Sequence, residues 1–275
     1  MSHGCIPADR DYSFLTWKEI ESMPDKENVV IIQPVGAVEQ HGLHLPLAVD
    51  YVIGLAVVGK GLALVPSDIR AYSLPSQQFG NSVEHISFPG TISLTPTTLI
   101  SVLTEIGESV YRAGFRKFVF SNSHGGNLEI TDLVARSLRV SHSDFLVFPL
   151  FIWNLITDAT DSDTLKRAEF GIHAGDAETS VLLEILPDQV KMDKAKAERP
   201  PKLSKDSLLS IGGKLSTGGK LTFGWLTKDL SQSGVIGDPT SATKEKGQQI
   251  LELLSHSFAK AILQIYHFQM PKNYL

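Results

Sequence analysis

Residues 117–153 read KFVFSNSHGGNLEITDLVARSLRVSHSDFLVFPLFIW, and the order of patterns in this stretch decides the architecture. Lys117 to Ser121 is a short, mostly apolar run that reads as a strand. It enters a turn at Gly125-Gly126. From Leu128 to Val140 the positions Ile130, Leu133, Val134 and Leu138 recur at helical spacing and form the expected core face of a helix. Phe145 to Trp153 is apolar again and reads as a second strand. Strand, helix and strand in that order make a βαβ unit, which brings a parallel pair of strands with it.

The alternation continues on both sides. Thr16-Trp17-Lys18-Glu19 has the spacing of a capping box and predicts a short helix. Val29 to Pro34 is β-branched and apolar and reads as a buried strand, and an apolar segment from Tyr51 to about Leu64 as a helix. Thr95-Pro96 supplies a cap and a first-turn proline ahead of Leu99, Leu103, Ile106 and Val110, with Gly114 as the stop. Ala177 to Leu186 predicts a helix ended by Pro187. Ala242 to Tyr266 predicts a long closing helix with Ile250, Leu254, Phe258 and Ile262 on one side. The expected class is α/β, with a mainly parallel sheet covered on both faces. Residues 1–275 read as a single domain, from which Lys191 to Gly224, with Pro200-Pro201 and two glycine pairs, is a long excursion. Its glycines lack the order of a phosphate loop. No dinucleotide fingerprint and no G-x-S-x-G elbow occur in the chain.

Composition excludes several functions. The 25 basic residues are outnumbered by 30 acidic ones and are unclustered, which argues against a broad nucleic-acid face. A single cysteine, Cys5, rules out an internal disulfide framework. Met1 to Arg10 is polar, and the longest apolar run, Phe145 to Trp153, is about half a membrane span. The expectation is a cytoplasmic protein without a membrane or nucleic-acid partner.

In an open α/β sheet the strand C-termini line the binding crevice, and polar residues collect just after the predicted strands. Glu39 and His41, two apart, point to one side of an extended chain. Asp50 precedes a helix, so alone it reads as an N-cap; with Glu39 and His41 it reads as part of a carboxylate–imidazole cluster suited to divalent metal. His44 is less predictably placed and reads as a residue behind the ligands or at the rim. His124 follows a strand beside Gly125-Gly126, where backbone can approach an ion or substrate closely. His173 precedes a turn and can orient a substrate or donate a proton. Glu178 lies in a first helical turn, where the dipole alone also favours a carboxylate, and Asp176 reads as that helix's cap. Trp153 and Trp225 either pack or line a pocket. Glu84 and His85 either edge the site or are solvated loop residues. The pocket walls are expected from Tyr72 to His85 and from the 191–224 excursion.

Pro34 to His41 with Asp50, the Ser123-His124-Gly125-Gly126-Asn127 turn, His173-Ala174-Gly175 with Glu178-Thr179-Ser180, Phe88 to Leu94, and Gly237-Asp238-Pro239 together resemble the creatininase (creatinine amidohydrolase) family. The resemblance runs from about Thr16 to about Tyr266. It implies a three-layer α/β/α sandwich, a homo-oligomer that is often a hexamer, and a centre of two divalent ions of zinc, manganese or iron. It places the metal ligands on Glu39, His41, Asp50 and His124, with Asp50 as the bridge and Glu178 as the remaining ligand. It sets His173 beside the substrate, with Gly125, Gly126 and Trp153 as further substrate-binding positions. Authentic creatininases carry a metal-binding glutamate two residues after the second-motif histidine, where this chain has Gly126. They also carry a tryptophan just before the third motif, where this chain has Arg167 to Phe170. Creatinine itself is therefore a doubtful substrate.

The implied activity is cleavage of a C–N amide bond in a cyclic amide, formamide or small peptide-like molecule by a metal-activated hydroxide. His173 or Glu178 would deliver the proton to the leaving nitrogen. A non-catalytic metal-binding or small-molecule-binding member of the same fold stays open as the alternative.

Overall fold

The computed structural model describes residues 6–156, 171–198 and 223–270. Among these, four strands form one parallel sheet in the order β2-β1-β3-β4, with β1 Val30–Val35, β2 Ala71–Ser73, β3 Lys117–Asn122 and β4 Leu146–Phe151. The helices are α1 (Trp17–Ser22), α2 (Val49–Leu64), α3 (Pro96–Arg112), α4 (Leu128–Ser141), α5 (Asp176–Ile185), α6 (Thr227–Leu230) and α7 (Lys244–His267). The Thr16 capping box forms as read, and Thr95 caps α3 with Pro96 in its first turn.

Period-2 alternation in the strands sorts the core into two layers. Val30, Ile32 and Val119 face α2, α5 and α7. Val29, Ile31, Val35, Phe118 and Phe120 face α3 and α4. Both faces are covered, so every residue of β1 and β3 is buried. β1 pairs with β3 from Val30↔Lys117 to Val35↔Asn122 but with β2 only over Val30–Ile32. Pro34 fits inside this central strand because β2 ends before it. Its carbonyl on that side accepts from the Gln77 N–H at 2.9 Å, and no ladder donor is lost.

Four sequence expectations change. Leu133 is 51% exposed, because the α4 face that covers the sheet is filled by Ile130, Val134 and Leu138. The last strand stops at Phe151, and Trp153 falls in a 3₁₀ turn, Ile152–Ile156. Tyr72 belongs to strand β2, a three-residue edge, before the chain reaches the pocket wall. Asp176 is not a cap: Gly175 holds that position, while buried Asp176 accepts from Ser180 Oγ at 3.0 Å and pairs with Lys246 Nζ at 2.9 Å. Of the 191–224 excursion, residues 199–222 lie outside the described residues, as do Cys5 and Arg167 to Phe170.

The start of that excursion is tied down. Glu198 bridges to Gly237, and its carboxylate accepts from the N–H groups of Gln232 at 2.6 Å and Ser233 at 3.0 Å and from the Ser233 hydroxyl. Burial would raise its pKa, but these donors outweigh burial and hold it at about 2. A folded pKa below the unfolded one stabilises above the ordinary carboxylate range, and that contribution is lost as pH falls through the folded value. Thermal melts of Glu198→Gln against the parent chain are expected to show a deficit that closes between about pH 5 and about pH 2. A deficit that stays constant over that window would contradict this role.

Candidate metal centre

β1 delivers the chain into a turn at Gly36, where a Cβ would fall 2.6 Å from Tyr51 Cα, so the 36–50 loop lies tight against the start of α2. Glu39 and His41 are buried there, at 1% and 0% exposure. Asp50 is the second residue of α2, after an Ala48 cap position with no side-chain bond, so it is not an N-cap. Its two oxygens face different imidazoles: Oδ1 lies 3.7 Å from His41 Nε2 and Oδ2 lies 3.3 Å from His124 Nδ1.

β3 delivers His124 to the same place. Asn122 fixes the turn by accepting from the His124 N–H at 3.1 Å and donating to the His124 carbonyl at 2.8 Å. Asn127 donates to Gly36 O at 3.1 Å and accepts from the Asn81 N–H at 2.9 Å, so it joins three loops. These bonds give Asn122, just before the motif, and Asn127, at its end, their structural roles.

The third segment enters through an antiparallel bridge between His173 and Ile236. Ala174 takes φ +52, a strained value for a non-glycine residue, and its N–H donates to Glu178 Oε2 at 2.6 Å. Glu178 Oε1 lies 3.9 Å from His41 Nε2. His173 Nε2 donates to the Gln40 carbonyl at 2.6 Å, which leaves Nδ1 facing Glu39 Oε1 at 3.6 Å. His44 is buried but turned away, with Nε2 on Thr179 Oγ1 at 2.9 Å.

Glu84 and His85 are part of the site and not solvated loop residues. Glu84 Oε1 stands 3.6 Å from His124 Nε2, and His85 Nε2 stands 3.4 Å from Glu39 Oε1. Gln40 Nε2 donates to His85 Nδ1 at 2.8 Å, so His85 carries its proton on Nε2, aimed at Glu39. That role is orientation of the carboxylate. Trp153 and Trp225 line the same pocket, about 150 Å³ in volume, together with Gly125 and Gly126.

The electrostatics favour positive charge at the centre. Burial pushes Glu39 up to about 8. Burial works against protonation of His41 and His124, yet the carboxylates around them raise the two rings to about 9 and about 10. Asp50, despite burial, is held well below the usual carboxylate range by His41 and His124. His173 and His85 are neutral: burial and the His41 ring lower both, His85 to about 3.

The residues fit a divalent cation on their own geometry. Glu39 Oε2, His41 Nε2 and Asp50 Oδ2 are buried without a hydrogen-bond partner. The carboxylate separations of 3.3 to 3.9 Å around His41 and His124 are long for charge-assisted hydrogen bonds. They match the roughly 3.4 Å that separates two ligands on one tetrahedral ion. His41 Nδ1, at 3.2 Å from the Glu39 carbonyl, donates away from the centre, the second-shell bond typical of a ligating histidine.

The sequence profile of the creatininase family, described as creatinine amidohydrolase, matches residues 13–262. This chain belongs to the creatininase family. Its relatives include the mycofactocin precursor peptide peptidase of Mycolicibacterium smegmatis, 33% identical over 85% of this chain and 84% of that one. The creatinine amidohydrolase of Pseudomonas putida is 30% identical over 90% of this chain and 94% of its own length. A crystal structure of creatinine amidohydrolase (creatininase) superposes with a TM-score of 0.74 at 28% identity, covering 94% of this chain and 99% of the other. Creatininase structures include a Zn–Zn form and a manganese form. The parallel sheet with helices on both faces is thus the family's fold. The chain is a creatininase-family hydrolase of C–N amide bonds, with side-chain groups able to hold metal. No helix among the described residues is long and apolar enough to cross a membrane.

Proposed function

We propose that this chain uses two divalent ions, of zinc, manganese or iron, to hydrolyse the C–N bond of a small cyclic amide, formamide or peptide-like substrate. The observation that carries this reading is that Glu39 Oε2, His41 Nε2 and Asp50 Oδ2, buried with no hydrogen-bond partner, meet His124 and Glu178, which arrive from segments distant in sequence. Glu39, His41, Asp50, His124 and Glu178 would hold the ions. Asp50 suits the bridging place because its two oxygens face two different imidazoles. When bound, a pair of divalent ions lowers the pKa of water from about 15.7 towards about 7 and polarises the amide carbonyl.

The chain's own groups handle the proton. His173 is neutral, and its Nε2–H is committed to the Gln40 carbonyl, so Nδ1 can take a proton and pass it to the leaving nitrogen. Glu178 is held by the Ala174 N–H and faces His41, which suits a ligand better than a proton carrier. Gly125 leaves backbone open at the pocket, Gly126 lines it beside His124, and Trp153 and Trp225 form apolar wall. An adjoining apolar cavity of about 300 Å³, lined by Phe151, Trp153, Ile156 and Ile172, meets the site at Glu178. It favours a substrate with an apolar group beside the amide. By resemblance to its family the chain would work as a homo-oligomer.

The test is turnover of an amide panel by metal-reconstituted protein, including creatinine, formamidopyrimidines and short peptides. Metal-dependent cleavage of amides bearing an apolar substituent, faster than of creatinine, is expected. Metal binding without cleavage of any panel member would favour a non-catalytic relative.

A further inference from the structure

We propose that Glu84 is a further metal-ligating residue of this centre, supplying on the Glu39–His124 side a carboxylate that Gly126 leaves room for. This deepens the metal-dependent reading above and rests on it. Glu84 sits in the single turn Val83–His85, distant in sequence from the segments that supply the other groups. Its Oε1 lies 3.6 Å from His124 Nε2 and Glu39 Oε2 lies 3.4 Å from the same nitrogen, which donates to the Asn81 carbonyl at 2.9 Å and would exchange that bond for the ion. Glu39, Glu84 and His124 each offer a donor atom, all within 4.8 Å of one another. Glu39 Oε2, the buried oxygen without a hydrogen-bond partner, points to this side.

The glycine is the second observation. A Cβ on Gly126 would meet Glu84 Oε1 at 2.7 Å, His124 Nε2 at 2.5 Å and Asn81 O at 2.3 Å. Gly126 is not among the positive-φ glycines, so backbone conformation does not demand glycine there. The space itself demands it, because the Asn81 carbonyl, the His124 ring and the Glu84 carboxylate occupy it.

Charge is the third. Glu39, Asp50, Glu84 and Glu178 all line the pocket, and no lysine or arginine does among its described lining residues. Four carboxylates match the four positive charges of two divalent cations in a site whose ligands are largely buried.

The experiment is metal analysis and chelator competition on the full chain, repeated after loading with cobalt(II) and recording its visible absorption. Glu84→Gln is expected to hold one ion roughly tenfold or more weakly and to alter the cobalt spectrum. Glu84→Asp, which keeps a carboxylate, should recover most of both properties and serves if the glutamine variant does not fold. Two ions held by Glu84→Gln as tightly as by the parent chain, with an unchanged spectrum, would overturn the assignment while leaving the metal-dependent reading intact. A parent chain that binds no metal would overturn both.

Discussion

Replacing His41 with alanine is expected to remove metal from the protein and lower amide turnover by at least about 10³-fold, equivalent to roughly 4 kcal/mol of activation free energy. His41 is fully buried, and its Nδ1 is spoken for by the Glu39 carbonyl. Its Nε2 faces only Asp50 Oδ1 at 3.7 Å and Glu178 Oε1 at 3.9 Å. The alanine variant leaves these two acids together with no imidazole between them. It also removes the imidazole that, on giving up its proton to an ion, would complement carboxylate oxygen at such a centre. A matched control is His142→Gln: that ring stacks on Tyr111 at 3.8 Å and bonds Glu108 Oε2 at 2.7 Å, and it contacts none of the candidate ligands. Metal content by elemental analysis and turnover should fall together in His41→Ala and stay together in His142→Gln. Full metal content in His41→Ala, with turnover reduced less than about tenfold, would remove His41 from the centre.

The history of each residue shows what kind of information the sequence carries. β1 and β3 were legible because both faces of a covered parallel strand must be apolar, which leaves an unbroken run such as Val29-Val30-Ile31-Ile32. β2 was not, since Ala71–Ser73 pairs over three residues only and a run that short has no period to read. Leu133 failed for a different reason: its spacing matches the apolar face of α4, but the sheet has room for only part of that face. The convergence of Glu39, His41, Asp50 and His124 was legible because each follows a strand or opens a helix, and the sheet topology gathers those places. Glu84 and His85 sit in a turn with neither marker. Their significance comes from packing against Gly126 and Gln40, which no local pattern reveals.

Gly247→Ala is expected to destabilise the fold by about 2–3 kcal/mol, against the sign that helix propensity gives. In the interior of α7 alanine alone would favour the helix by about 1 kcal/mol. Here a Cβ would fall 1.8 Å from Ser180 O and 2.4 Å from Ser180 C, both backbone atoms of α5. Gly107 differs: its obstacle is the Leu138 side chain, Cδ1 at 2.4 Å, which has rotamers to spare. A backbone carbonyl has none, so α7 must move off α5. That movement strains the bonds clamping the two helices, from Lys246 Nζ to Asp176 Oδ2 at 2.9 Å and from Thr243 N to Ser180 Oγ at 3.2 Å. It also reaches the site, because Glu178 lies in the first turn of α5. A fall in melting temperature of roughly 5–10 °C should therefore be accompanied by weaker metal retention. Gly224→Ala, where an added Cβ meets nothing within 4 Å, should change neither. If Gly247→Ala melts at or above the parent temperature, the close approach of α7 to α5 is wrong, and with it the account of what holds Glu178 in place.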